Sequence, residues 1–164
     1  MFDLVRKLRH KEDDPSKRTS ASQVPSADDG SQVRLLAVTQ NEGDWRSLQE
    51  IAYHCGWVLF WAHSCDSALS VLSHYTIPVV ICDRDLPGED WRRVLKRIAV
   101  FRQPICILLA SSVSDEYLWR EVVQHQGFDV VPKPFQPERL IRTVNLAWAW
   151  EGWIERQPDN TGGR

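Results

Sequence analysis

Two acidic side chains at the end of an apolar run are the clearest sign of chemistry in this sequence. Residues 79–82 are four apolar, mostly β-branched residues, followed at once by Asp83 and then by Asp85. Such a run is typical of a strand buried on both faces of a parallel sheet. Pro87 and Gly88 then predict a turn. A carboxylate between a buried strand and a loop lies where open α/β sheets bind ligands, so Asp83 is a candidate reactive acid.

The segments that must position this acid alternate between two periodicities. Each candidate strand is followed by apolar residues at helical spacing or by a residue that favours a helix start. Pro137 suits the first turn of the last helix. Ser112 or Ser114 is the predicted cap of the fourth helix. Strands are predicted over 33–38, 57–62, 79–82, 105–110 and 128–131. Five strands alternating with five helices predict an α/β fold with a doubly wound parallel sheet and right-handed crossovers.

The domain is predicted to occupy residues 32–154. Residues 1–31 are polar and rich in Ser, Asp and Lys, which predicts a disordered N-terminal tail, and 155–164 form a C-terminal tail. No apolar stretch approaches the roughly 20 residues of a membrane span.

Composition narrows the function further. The formal net charge of −2 argues against nucleic-acid binding, which favours a basic surface. The four cysteines form no C-x-x-C pair, so we expect reduced thiols in a cytoplasmic protein.

One family combines these features. The segment that begins Asp83-Arg-Asp-Leu-Pro-Gly is followed fifty residues later by Lys133-Pro134-Phe135, after the fifth strand. This pair of motifs resembles the response-regulator receiver domain of two-component signalling, in a divergent, stand-alone form like the chemotaxis regulators. The resemblance implies a flavodoxin-like (βα)5 fold with strand order 2-1-3-4-5.

The resemblance also implies roles for the two motifs. Asp83 matches the nucleophile that accepts a phosphoryl group from a kinase phosphohistidine. Lys133 matches the lysine that pairs with this aspartate at rest and with phosphate afterwards, and the Lys133-Pro134 bond is expected to be cis. Catalysis of this kind is positioning plus stabilisation of the phosphoryl charge.

Several positions depart from the family pattern. Thr39 and Gln40 stand where receivers carry two adjacent acids that hold Mg²⁺, so we expect at most a weak Mg²⁺ site at Asp83 and Asp85. Glu42 and Asp44 are interpreted as solvated residues at the start of the first helix.

Two further departures concern the later strands. The register of the fourth strand puts Leu109 where a Thr or Ser is expected, with Ser111 two residues on as a candidate phosphate contact. Val130 falls at the aromatic position of the fifth strand.

The last helix carries two apolar stripes. One stripe of five residues should face the sheet: Leu140, Ile141, Val144, Ala147 and Trp148. A second stripe on nearly the opposite side, Leu146, Trp150 and Trp153, predicts an interface for a homodimer or partner. The alternative is that Trp153 lies beyond the helix end and folds back.

The sequence therefore predicts a single-domain, non-enzymatic response regulator in a phosphorelay. The resemblance implies a sensor histidine kinase or phosphotransfer protein as the phosphodonor. Because only about ten residues follow the last helix, the output is predicted to be contact with a downstream protein. One alternative is a pseudo-receiver that binds partners without phosphorylation. Another is a haloacid-dehalogenase-like phosphatase that uses Asp83 as nucleophile and Asp85 as acid/base.

Overall fold

The computed structural model describes residues 32–101 and 104–155. The predicted disordered tail lies outside these residues, as does the C-terminal segment from residue 156. In the described ranges five strands alternate with five helices: β1 (Arg34–Val38), α1 (Glu42–Cys55), β2 (Val58–Ala62), α2 (Cys65–His74), β3 (Val79–Asp83), α3 (Trp91–Ala99), β4 (Cys106–Ser111), α4 (Glu116–Gln124), β5 (Asp129–Pro132) and α5 (Pro137–Glu155).

The five strands form one parallel sheet with the order β2-β1-β3-β4-β5. This confirms the predicted doubly wound α/β fold and its order 2-1-3-4-5. All five residues of β3 and all six of β4 are buried, as a sheet covered on both faces requires. The predicted last helix also begins at Pro137, as expected.

Successive side chains of a strand point to opposite faces of the sheet, so the core has two layers, one on each face. On β3, Val80 and Cys82 pack with residues of α2, α3 and α4. Val79 and Ile81 pack on the other face with residues of α1 and α5. Asp83 continues the alternation of Val79 and Ile81, so its side chain belongs to the side of α1 and α5.

Local signals fix the helix starts. Asn41 caps α1 by accepting a hydrogen bond from the backbone N of Asp44. The cap of α4 is Asp115, which accepts from the backbone N of Leu118 at 2.8 Å, so the predicted cap at Ser112 or Ser114 is wrong. A carboxylate at this position both bonds the free N–H and complements the positive end of the helix, which a serine hydroxyl does only in part.

Two other expectations concern the whole chain. All four cysteines are free thiols, and three of them are buried. Across the described residues, the search for a helix that is long and apolar enough to cross a membrane finds none.

Candidate functional site

The site lies at the carboxyl edge of the sheet, where the ends of three strands and one helix meet. Asp83 is the last residue of β3, Thr39 directly follows β1, and Lys133 directly follows β5. Asp44 comes from the first turn of α1. Only 5% of Asp83 is exposed to solvent. The strand ends thus bring a buried acid, a lysine and a hydroxyl to one place.

Three donors hold the Asp83 carboxylate. Its Oδ1 accepts from Lys133 Nζ at 3.0 Å and from the backbone N of Asp85 at 3.1 Å. Its Oδ2 accepts from Thr39 Oγ1 at 3.1 Å. A carboxylate fixed in this way, with a cation beside it, can act as a nucleophile whose product charge the lysine balances.

A turn and a side-chain hydrogen bond fix the loop that follows Asp83. Pro87 and Gly88 form the predicted turn: Glu89 N donates to Leu86 O at 3.1 Å, and Gly88 has a φ of 75°. Pro and Gly at these positions suit a type II turn. The Glu89 carboxylate accepts from the backbone N of Cys65, the first residue of α2. These contacts fix the loop that presents the Asp85 N–H to Asp83.

Lys133 has a second carboxylate partner. Its Nζ donates to Asp44 Oδ2 at 2.8 Å, and only 14% of its side chain is exposed. Burial alone lowers the pKa of this ammonium, but the hydrogen bonds to Asp44 and Asp83 outweigh it and raise the pKa above its usual range. A raised pKa in the folded state stabilises the fold at and below neutral pH, and this contribution is lost only as the pH rises through the raised value.

The position of Asp44 contradicts its interpretation as a solvated residue. Because Asn41 caps the helix, α1 begins at Glu42, and Asp44 lies one turn before the buried Leu48 on the same face. That face is turned toward the sheet, so the carboxylate reaches Lys133. The signal in the sequence was the spacing of Asp44, Leu48 and Ile51 at i, i+4 and i+7. Glu42 is solvated as interpreted.

The residues that replace the usual acids have other partners. Thr39 Oγ1 donates to Asp83 and accepts from the backbone N of Asn41 at 3.0 Å. The amide of Gln40 donates to the backbone O of His63 at 3.0 Å. The Thr39 hydroxyl and the Gln40 amide N–H are thus used in bonds within the protein.

These residues do not fit a Mg²⁺ ion, which prefers near-octahedral oxygen ligands and several waters. Two carboxylates reach the pocket, Asp44 and Asp83, and both already bind the Lys133 ammonium. The side chain of Asp85 is exposed, and its contact with Asp83 is made by the backbone N. In the part of the chain that the structure describes, no group of three His, Cys, Asp or Glu residues is arranged to hold a metal.

The end of β4 differs from the predicted register. Asp83 pairs with Ala110, and the strand ends at Ser111, so the placement of Leu109 at the strand end is wrong. Leu109 lies in the core of the α2, α3 and α4 layer. Ser111 is fully buried, and its Oγ accepts from the backbone N of Val113 at 3.1 Å. A phosphate contact by Ser111 stays a prediction.

The structure shows the peptide bond after Lys133 and the position of Val130 on β5. The Lys133-Pro134 peptide bond is cis, as the resemblance implied. Lys133 N donates to Ser111 O at 2.8 Å, which ties the lysine to the end of β4. Val130, at the aromatic position, is buried in the α2, α3 and α4 layer.

An aromatic frame beside the pocket was not predicted from the sequence. Trp61 of β2 donates its indole Nε1–H to the backbone O of Thr39 at 2.9 Å. Trp45 of α1 stacks on Trp61, with ring centroids 4.5 Å apart and planes 7° apart. This stack locks the first turn of α1, and therefore Asp44, against the end of β1.

The two stripes of α5 differ in exposure as the spacing suggested. Leu140, Val144 and Ala147 are buried, while Leu146 is 60% and Trp150 51% exposed. Trp153 lies within the helix, which extends to Glu155, so the alternative that it lies beyond the helix end is wrong.

A doubly wound sheet of order 2-1-3-4-5, with an aspartate ending the third strand and a lysine following the fifth, defines a receiver-type domain. The chain belongs to the response regulator receiver domain family, whose family model matches residues 36–145.

Solved structures agree with this assignment. The chemotaxis response regulator CheY4 of Vibrio cholerae is 19% identical with a TM-score of 0.65, over 71% of this chain and 98% of that one. The signal receiver domain of an HD domain-containing protein from Pseudomonas fluorescens Pf-5 is also 19% identical, with a TM-score of 0.71 over 82% of this chain and 100% of that one. At these identities the likeness shows the fold.

One sequence relative is a much longer protein than this chain. The C4-dicarboxylate transport transcriptional regulatory protein DctD of Rhizobium meliloti (strain 1021) is 24% identical over 102 residues, which are 62% of this chain. The chain spans 22% of the length of that relative.

Proposed function

We propose that this protein is a phosphoacceptor response regulator, in which Asp83 takes a phosphoryl group from a sensor histidine kinase or a phosphotransfer protein. The observation that carries the proposal is the Asp83 carboxylate itself: it is buried at the carboxyl edge of the sheet and held by Lys133 Nζ and the backbone N of Asp85. A carboxylate at this edge, with a cation and a backbone N–H beside it, is placed to accept a phosphoryl group whose charge these donors balance.

The proposed reaction is an in-line transfer. A carboxylate oxygen of Asp83 forms a bond to phosphorus while the phosphorus–nitrogen bond of the donor phosphohistidine breaks. The electron pair of that bond stays on the imidazole, which takes a proton from water. Lys133 and the Asp85 N–H then balance the charge on the phosphoryl oxygens, as positioned cations and donors do in phosphoryl transfer.

The output of such a module is a protein contact. In the proposed function, the phosphorylated domain docks on a downstream protein in the cytoplasm. That nucleic acid is not among the partners is a prediction from the net charge of −2.

The direct test uses the wild-type protein and a small phosphodonor. Incubation with phosphoramidate, with and without Mg²⁺, should add one phosphoryl group to the intact mass, and mild alkali should remove it because acyl phosphates hydrolyse readily. A mass that stays unchanged under both conditions contradicts the proposal.

One observation favours a second candidate, the pseudo-receiver. Thr39 and Gln40 supply no carboxylate, and the Lys133 ammonium binds Asp44 as well as Asp83. A pocket balanced in this way suits a domain that binds partners without phosphorylation. The same mass experiment decides between the two candidates, because only the phosphoacceptor gains mass.

The described residues do not contain one structural element that the phosphatase alternative requires. Enzymes of that type need a further strand that ends in paired acids after the lysine. In the described residues, the element after Lys133 is the helix α5. We therefore propose no hydrolytic activity, and the family is in general a non-enzymatic signalling module.

The exposed side of α5 is the proposed contact with a second copy of the chain. Leu146 and Trp150 lie one helical turn apart, and both are more than half exposed. Burial of such a pair removes a large apolar area from water. The change Leu146→Ala with Trp150→Ala should weaken self-association by tenfold or more, since the loss of the Trp150 anchor alone costs about 2 kcal/mol. Sedimentation velocity over a concentration series measures this.

The control for this prediction lies on the same helix. Trp148 is half-buried and packs against the core, so Trp148→Ala should lower the melting temperature and leave self-association of the folded protein unchanged. If the wild type is monomeric at every concentration, the homodimer proposal is wrong.

A further inference from the structure

We propose that the Lys133 ammonium is the resident cation of this pocket, that Asp44 holds it there, and that the pocket for this reason excludes Mg²⁺. The inference rests on the proposed function in taking the Asp83 pocket as the receiver site. It goes beyond that function by assigning a positioning role to Asp44, a helix residue, and by separating the site from divalent metal.

The first step is geometric. The ammonium lies between two carboxylates, 2.8 Å from Asp44 Oδ2 and 3.0 Å from Asp83 Oδ1. Asp44 and Asp83 are largely buried, with side-chain exposures of 18% and 7%. A metal ion that used both carboxylates would have to take the place of this ammonium and break two charge-assisted hydrogen bonds.

The second step concerns charge. Two carboxylates and one ammonium leave the pocket with a single net negative charge, whereas two further acids at the positions of Thr39 and Gln40 would make it much more negative. A divalent cation beside a retained ammonium meets like-charge repulsion that a partly buried site screens poorly. The pocket therefore lacks the excess negative charge that draws a hard cation out of water.

The third step explains why these residue types occur together. The Thr39 hydroxyl donates a hydrogen bond to Asp83 Oδ2, so its hydrogen occupies one side of this oxygen. The amide of Gln40 is turned to His63 at the end of β2. With no metal to hold Asp83, the protein fixes this carboxylate through Thr39 and Lys133, and Lys133 is in turn fixed by Asp44.

The test compares Mg²⁺ binding by the wild-type chain and two variants, measured by isothermal titration calorimetry. The wild type should show no saturation below about 10 mM Mg²⁺. Lys133→Met removes the ammonium and leaves both carboxylates, so it should bind Mg²⁺ at least tenfold more tightly. The double variant Lys133→Met with Asp44→Asn should lose that gain, because it keeps one carboxylate.

Each contrary outcome overturns a stated part of the proposal. Wild-type saturation below about 10 mM, or a folded Lys133→Met protein that binds no more tightly than the wild type, contradicts the resident-cation role. A double variant that binds as well as Lys133→Met means that the Asp44 carboxylate does not face the cation position, and contradicts its proposed hold on Lys133. Circular dichroism checks folding, and Lys133→Gln serves as a second neutral variant; if neither folds, the wild-type titration alone decides.

These measurements are independent of phosphoryl transfer. Failure of the wild type to gain mass with phosphoramidate would overturn the proposed function while leaving the calorimetric result intact. Tight Mg²⁺ binding by a wild type that does gain mass would overturn the resident cation and leave the proposed function standing.

Discussion

Replacing Asp83 with asparagine should abolish phosphoryl uptake from phosphoramidate while the protein stays folded. The amide cannot form an acyl phosphate, so no mass increment should remain. The fold tolerates the change because the amide oxygen can still accept from Lys133 and from Asp85 N, and Thr39 Oγ1 can accept from the new amide N–H. Lys133 also keeps its pair with Asp44, so no buried ammonium is left unpaired. Intact mass and thermal unfolding measure the two parts.

Asp85→Asn is the matched control for this prediction. The Asp85 side chain is exposed, and its contact with Asp83 is made through the backbone N. The same chemical change at this position should slow uptake and leave the final mass increment in place. A mass increment that persists undiminished in Asp83→Asn would show that Asp83 is not the phosphoacceptor, whatever the behaviour of Asp85→Asn.

The fold was predictable because its strongest signals are local and repeated. A buried parallel strand must be apolar at every position, and residues 79–82 and 106–110 show this without interruption. Helix α5 was marked by Pro137 at its start and by a stripe of core residues. Such patterns depend on one element at a time, so they can be recognised without the rest of the molecule.

The site was only half predictable, because part of it depends on a helix start. Asp83 and Lys133 stand at strand ends that the apolar runs reveal. Asp44 reaches Lys133 because it lies inside α1, one turn before the buried Leu48, and not ahead of the helix. Helix boundaries are shifted easily by one or two residues when read from sequence. That small shift separates a solvated acid from a buried partner of the lysine.

Strand register caused the other error. Residues 105–110 are apolar throughout, so the run does not show which residue lies opposite Asp83. The pairing of Asp83 with Ala110 is set by neighbouring strands and by the connection that precedes β4. The strand end therefore fell on Ser111 and not on Leu109. Long-range pairing of this kind leaves no mark within the strand itself.

The turn after α4 carries the largest expected effect on stability. Gly127 follows Gln126, a residue with a φ of 67°, and Gly127 N donates to Val122 O at 2.8 Å. A Cβ at position 127 would clash with Val122 Cγ1 and lie 3.1 Å from Leu95 Cδ2. Both neighbours are fully buried, so neither can move aside. Gly127→Ala should therefore destabilise the protein by about 3 kcal/mol, measured by urea unfolding.

Two further variants show whether crowding is the cause. Gly43→Ala is the same substitution at an exposed position in α1, where the nearest atom is Asn41 Oδ1 at 3.1 Å, and it should change stability by less than about 1 kcal/mol. Val122→Ala removes the Cγ1 atom that an alanine at position 127 would strike. The double variant Gly127→Ala with Val122→Ala should therefore be more stable than the sum of the single effects predicts, by about 1 kcal/mol or more. Strict additivity would mean that the loss comes from the backbone of the turn, which is held by the Val122 carbonyl, and that side-chain crowding against α4 is not the cause.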